Sequence, residues 1–342
     1  MNVASFDSPP PHWDEFVHQH SHGKIYHLSA WNEMVRDIFK HSIRYVVVKN
    51  QDEIHGILPL TEFQSYLFGK FSVSLPFINY GGPLVVDVTT YYDIADYLKK
   101  YREESGFRFV EIRMDKKVDI QLPERQHKVT FSLKLPNDPT TLMSSFKAKL
   151  RSQIRRPIKE GMISKRGGEN LLDDFYFIFS RNMRDLGTPV LSKNFFRKIF
   201  ETFPANSKIV CVYSSNKQPV AASFLLFYKR ICEIPWASSL KQYNRYSPNM
   251  LLYWESIITA IESNCTVFDF GRCTPNTGTY KFKRQWGAIE SPLYWYYALN
   301  DTQELPEINP NNPKYEFAIN IWRKLPLFIT NGIGPSIVRN IP

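Results

Sequence analysis

At 342 residues the chain has room for two domains of ordinary size, each with its own core. Hydrophobic residues make up 43% and aromatics 15%, which excludes extended disorder. Lys plus Arg number 43 against 33 Asp plus Glu, and the resulting charge of +10 favours anionic partners: nucleic acid, phosphorylated carriers or a membrane face.

The first segment, MNVASFDSPPPHW, has neither a basic start nor an apolar run, so a cytoplasmic protein without a secretory signal is expected. No window approaches the roughly 18 uninterrupted apolar residues of a membrane span. In the first block Ser29 is placed to cap a helix carrying Trp31, Met34, Val35, Ile38 and Phe39 on one face. Strands over 43–49 and 54–62 follow, joined through the polar turn Asn50, Gln51, Asp52. A second helix is predicted over about 90–104, then strands FRFVEIRM and HKVTFSLKL. Asn137, Asp138 and Pro139 punctuate the chain, with Asp138 or Thr140 as a helix cap.

The second block opens on a basic helix predicted over about 141–160. Phe146, Leu150, Ile154 and Ile158 recur every fourth residue as its apolar stripe. Between Lys147 and Arg166 stand eight cations and one acid, Glu160. Like charges at this spacing repel, so either an anion neutralises Arg151, Arg155, Arg156 and their neighbours, or the face is solvated. Pro157 predicts a kink. Helices near 170–186 and 192–203 come next, then strands SKIVCVYS, VAASFLLFY and ICEIPWASS, and a helix over 247–263.

The most informative stretch is Phe268 to Ala288, FDFGRCTPNTGTYKFKRQWGA. A short buried strand over 267–271 closes on glycine, a polar turn spans 274–279, and an aromatic and cationic run follows through Tyr280, Lys281, Phe282, Lys283, Arg284 and Trp286. Cations delivered beside rings suit an anionic, partly flat ligand; the same rings also serve as core. SPLYWYYAL supplies a last strand. In the tail, Phe317, Ala318, Ile321 and Trp322 fall at helical spacing, and KLPLFITNGIGPSIV lies beside Arg323, Lys324 and Arg339. That segment either rests on an anionic membrane or packs back on the second domain.

Histidines and cysteines exclude chemistries. All eight histidines lie at or before His127, so a Ser-His-Asp or Cys-His pair confined to the second block is impossible. His18, His20 and His22 read as surface or loop residues. Cys211, Cys232, Cys265 and Cys273 have neither zinc-site spacing nor a disulfide framework, and no metal is expected.

The motif at 268–288 resembles the closing motif of the FemAB family, in which a strand ending in FGRS precedes a YxFKxxWG or FKxGFG element. Trp31 with its helix, IHGILPL, SLPFINYGGPL and FKAKLRSQIRRPIKEGM agree with it, so the resemblance covers roughly residues 12–300. It implies an α/β (α+β) fold of two tandem GNAT-like domains with a cleft between them, over residues 1–136 and 137–300, followed by a tail over 301–342. It implies an N-acyltransferase moving an acyl or aminoacyl group from an activated carrier, aminoacyl-tRNA or acyl-CoA, to an amine on a sugar- or peptide-linked acceptor, with no tightly bound cofactor and no DNA partner. The subgroup it resembles accompanies exopolysaccharide and exosortase (PEP-CTERM) genes. Family members border their substrate cleft with a basic helix like that at 146–162, and hold carrier phosphate and the developing oxyanion with the lysine that corresponds to Lys283. Motif position adds Arg245, Arg272, Tyr280 and Arg284 as cationic and aromatic surround. Asp87, after GGPLVV, resembles a carboxylate proposed as base for the attacking amine; before Thr89 and Thr90 it equally reads as a helix cap. Gln285 stands where the FKxGFG form has glycine. The phosphate turn of acetyl-CoA enzymes is replaced here by KQYNRYSPNMLL, without glycine, which favours another carrier. The rival readings are a non-catalytic protein presenting a basic groove to RNA or anionic polysaccharide, and an acyl-CoA-dependent N-acetyltransferase.

Overall fold

The computed structural model of the chain describes residues 1–65, 69–300, 304–306 and 313–341. Its first elements are β1 (Asn2–Phe6), α1 (Trp13–Gln19), α2 (Ser29–Phe39), β2 (Ser42–Asn50), β3 (Glu53–Ser65), β4 (Gly69–Val73), β5 (Leu84–Val85), α3 (Thr90–Ser105), β6 (Val110–Met114) and β7 (Glu124–Lys134). Ser29 opens α2, but through Asp14: the Asp14 carboxylate accepts from the Ser29 backbone N–H at 2.7 Å and from its hydroxyl at 2.6 Å. Trp31, Met34, Val35 and Phe39 are buried from that helix as its period requires, whereas Ile38 stays outside the buried set.

The chain continues through α4 (Pro139–Ser145), α5 (Ala148–Lys159), β8 (Ile163–Gly167), α6 (Leu172–Leu186), α7 (Lys193–Thr202), β9 (Ser207–Tyr213), β10 (Pro219–Tyr228), β11 (Ile231–Ser239), α8 (Pro248–Glu262), β12 (Val267–Asp269), α9 (Gly278–Arg284), β13 (Ile289–Ala298), α10 (Pro313–Lys324) and α11 (Leu327–Val338). Asp138 caps α4, accepting from the N–H groups of Thr140 and Thr141 at 2.8 Å each. The single basic helix expected over 141–160 is two helices. Phe146 and Lys147 are extended between them, because the Phe146 ring turns inward onto Trp254 and Trp286, with centroids at 6.0 and 5.8 Å. Leu150, Ile154 and Pro157 are buried from α5, while Ile158 is exposed because the helix ends one residue later.

Two compact units result. One takes Met1–Val129 together with β13 from Ser291 onward; the other takes Thr130–Glu290 together with α10 and α11. This division differs from a cut at 136 and 300, since the last strand returns to the first unit and the tail helices join the second.

In the first unit the strand order is β1-β2-β3-β4-β6-β13, with β5 on β3. All neighbours are antiparallel except β4 and β6, which run parallel and are connected through α3. One face of β6 and β13 packs Val110, Ile112, Tyr296 and Ala298 with Leu58, Leu60, Ile94 and Leu98. In the second unit the order is β7 (its part from Thr130 on)-β12-β11-β10-β9-β8. Again a single pair, β11 and β12, is parallel, with α8 as its crossover. Helix α8 is buried nearly all round.

Candidate active site

The parallel pair in the second unit makes the site. β11 and β12 are bonded over only three residues each, Ile231–Glu233 against Val267–Asp269. β11 then runs on to Ser239 along β10, so its other edge loses its partner after Glu233. Beyond Ser239 a 3-10 turn, Lys241–Tyr246, leads to Ser247 at φ 59° and to Pro248, the first residue of α8. A cavity of about 540 Å³ lies at this end of β11. Ser239 lines it from the strand end, Lys241 and Asn244 from the 3-10 turn, Asn249 from the start of α8, Gln153 from α5, Asn182 from α6, and Phe282 with Gln285 from the motif helix. Carboxamides and hydroxyls dominate, with Lys241 and Asp185 as the charged members.

Helix α9 sorts its side chains by period. Thr277 caps it, accepting from the Tyr280 N–H at 3.3 Å. Phe282 and Gln285 face the cavity; Tyr280 and Arg284 share another side, the guanidinium 5.4 Å from the Tyr280 ring centre and the Tyr280 hydroxyl donating to Glu290 at 2.6 Å. Lys283 and Trp286 point inward. Lys283, only 4% exposed, donates to the carbonyl oxygens of Phe270 (2.5 Å), Gly271 (2.7 Å) and Arg272 (3.0 Å). Those carbonyls belong to the turn in which the chain leaves β12. Gly271 adopts φ 68°, which a residue without Cβ tolerates, and its N–H reaches the Asp269 carboxylate at 2.9 Å. Burial pushes the Lys283 ammonium down to about 8, against the opposing pull of Cys273, Asp269 and Glu233. In this geometry all three ammonium protons are directed at backbone carbonyls.

The structure gathers the expected residues unevenly. Arg272 is half-buried beside Lys283, which holds its carbonyl. Arg245 is exposed and stacks on Tyr246 at 4.6 Å, outside the cavity wall. Arg151 donates to the carbonyls of Phe146 (2.7 Å) and Ser144 (3.4 Å), closing the break between α4 and α5. Arg155 and Arg156 are exposed on α5. Asp87 lies in the first unit, where its carboxylate accepts from the Thr90 N–H (3.0 Å), the Thr89 hydroxyl (2.5 Å) and the Thr90 hydroxyl (3.2 Å). It serves as the cap of α3. The Thr89 hydroxyl above all, with Thr90 and His55, holds it near 2, where a carboxylate is a weak proton acceptor.

A second, small pocket in the first unit escaped the sequence reading. Asp115, just past the end of β6, pairs with Lys24 at 3.0 Å, and His22, His27, Arg113 and Gly82 complete the wall. His27 is buried and bonded to the Gly82 carbonyl at 2.9 Å; burial holds it near 4, so the ring is neutral at pH 7. Burial pushes the Asp115 carboxyl up, but Lys24 outweighs it and leaves the group below its ordinary value. A carboxylate directly following a buried strand was the available signal.

An acetyltransferase (GNAT) domain family matches residues 144–284. Among solved structures, FemX superposes with TM-score 0.64 at 15% identity, over 92% of this chain and 100% of that one. L-PGS from Bacillus licheniformis gives 0.57 at 13% identity, over 93% and 97%. A tandem GNAT protein from the clavulanic acid biosynthesis pathway gives 0.52 at 8% identity, over 88% and 100%. No curated protein matches the sequence. The fold is therefore that of tandem GNAT-like proteins, and the matched domain carries the parted strands and their cavity. The protein is an acyltransferase.

Proposed function

We propose that the chain moves an acyl or aminoacyl group from an activated carrier to an amine of a cell-envelope or exopolysaccharide precursor. The observation that carries this reading is the cavity at the far end of β11, walled by Ser239, the turn before α8 and the motif helix, in the matched domain. The carrier's acyl carbonyl lies there in this reading, the acceptor amine attacks it, a C–N bond forms and the carrier's C–O or C–S bond breaks. The proton lost by the amine passes to the departing carrier oxygen or sulfur. Lys283 contributes by fixing the Phe270–Arg272 turn, beyond which α9 carries Phe282 and Gln285 to the cavity wall. Acyl-CoA is the co-substrate of GNAT domains generally, yet here a 3-10 turn and Pro248 occupy the start of α8, and Pro248 has no N–H to offer a pyrophosphate. That favours an aminoacyl ester such as aminoacyl-tRNA as donor.

Purified protein incubated with an amine-bearing glycan or peptide precursor and either labelled aminoacyl-tRNA or labelled acetyl-CoA tests the proposal. Label is expected in the acceptor from the first donor; transfer only from acetyl-CoA reverses the donor assignment, and transfer from neither removes the function. Mass spectra of precursor pools from a strain lacking the gene then give the acceptor.

Two variants follow from the site. Gln285→Leu removes an exposed polar group from the cavity wall, giving up only a long contact to the Met250 sulfur at 3.6 Å. It is expected to raise the donor KM by about tenfold, the effect of one lost hydrogen bond, with the acceptor KM unchanged. Arg155→Glu with Arg156→Glu is expected to leave the melting temperature unaltered, because both side chains are solvent-exposed, and to weaken carrier binding most at low salt. Affinity and salt dependence equal to those of the parent would make this face a solvated surface only.

A further inference from the structure

The tail carries a surface that acyl transfer does not use. From Leu325 to Val338 the sequence LPLFITNGIGPSIV has no charged residue, and over 313–338 there are three cations, Lys314, Arg323 and Lys324, against one acid, Glu316. Helices α10 and α11 both pack on α6. The inward side of α11 is defined by Thr330 and Gly334, one turn apart and buried; a Cβ on Gly334 would stand 3.0 Å from the Val190 side chain. A surface helix in water ordinarily turns polar residues outward. Here the outward side of α11 presents Phe328, 77% exposed, together with Gly332 and Ser336, while Ile333, 46% exposed, flanks the inward side. On α10, Phe317 at 70% and Ile321 at 47% lie one turn apart, and Lys324 continues the same stripe. Ile319 and Trp322 take the opposite side, against Gly187 and into the core.

We infer that the exposed apolar side chains of α10 and α11 dock on the surface of a bilayer containing anionic phospholipids. The exposed phenylalanines and isoleucines would enter the acyl boundary while Arg323 and Lys324 remain at headgroup level. Charge complementarity selects this occupant. A second copy would bring the same excess of cations to the contact, with Glu316 the sole acid on these helices to offset it. Spanning is excluded by length: twelve residues of α11 rise about 18 Å, against roughly 30 Å of hydrocarbon. Among the described residues no helix is long and apolar enough to cross a membrane. The inference is independent of which acyl group is moved.

The full chain is floated with vesicles of phosphatidylcholine alone and of phosphatidylcholine with phosphatidylglycerol, beside Phe317→Ser/Phe328→Ser and Lys324→Glu. Wild-type protein is expected to float with the anionic vesicles. The double serine variant should lose about tenfold or more in partition coefficient, and Lys324→Glu severalfold with anionic vesicles only. Both phenylalanines are exposed, so an unchanged thermal melt is the expected control. Three results would overturn the proposal: wild-type protein left in the soluble fraction with both vesicles, a double variant that floats like the parent, or a dimer by light scattering that the serine variant dissociates while vesicle binding is absent.

Discussion

Lys283→Met is expected to cost about 3–5 kcal/mol of folding stability, read as a fall in the urea midpoint at unchanged slope. The reason is not the lost charge but the three carbonyls of Phe270, Gly271 and Arg272, which share this single ammonium as donor. Methionine fills a similar volume and leaves all three without it. Arginine will not rescue, since a planar fork cannot aim three donors from a single nitrogen at three carbonyls. Transfer should fall with stability, because the turn that departs from β12 loses its clamp. The pH dependence has a definite sign. Burial lowers the folded ammonium to about 8, whereas the unfolded lysine keeps its proton up to its ordinary value of 10.5. Between these limits the unfolded chain binds more protons, so Lys283 contributes a stability that rises with pH through that window and is flat below it. The methionine variant should lack this rise. A variant as stable as the parent would mean that the turn holds itself.

Much of the second unit was legible because its signals are periodic and local. The strands of β9, β10 and β11 are continuous apolar runs, and α6, α7 and α8 show helical spacing over more than two turns. Asp138 before Pro139 announced its cap, and Asp87 before Thr89 and Thr90 offered the cap that the structure uses. What failed to be legible depends on partners distant in the chain. The break at Phe146 is set by Trp254 and Trp286, more than a hundred residues on, and no local pattern reports it. Lys283 was visible as the central lysine of its motif, but its direction is dictated by the Gly271 turn. The cavity wall is built of Asn, Gln and Ser, residue types so common on surfaces that only the fold singles out Gln153, Asn182 and Asn244. Asp115 and Lys24 lie ninety positions apart and meet only through β6 and the segment ahead of α2. The return of β13 to the first unit was hidden for the same reason: strand pairing with β6 crosses most of the chain.

That pairing buries a charge pair whose disruption should be as costly as loss of Lys283. Glu111 and Arg113 alternate with Val110 and Ile112 along β6, so they fall together on the opposite face. Both are buried, and the Arg113 Nε donates to the Glu111 carboxylate at 2.6 Å. Their cross-strand partners on β13 are Tyr297 and Trp295. The guanidinium lies 4.4 Å from the Trp295 ring centre, and burial first, then Glu111, pushes the Tyr297 phenol up. Phe63, Phe71 and Phe109 pack around Tyr297, leaving little solvent to screen a stray charge. Glu111→Leu is therefore expected to destabilise by about 3–5 kcal/mol, because the arginine stays charged at every accessible pH and would be left buried without its counter-ion. Adding Arg113→Met should recover most of that loss, since removing both members of a buried pair is close to neutral when the volume is kept. The two single variants and the double, unfolded in urea, close the thermodynamic cycle. A double variant less stable than Glu111→Leu alone would show that Arg113 is held by Trp295 and the backbone rather than by the carboxylate. Arg113 also lines the small pocket with Lys24 and Asp115, so the same cycle measured on acceptor KM reports whether that wall takes part in transfer.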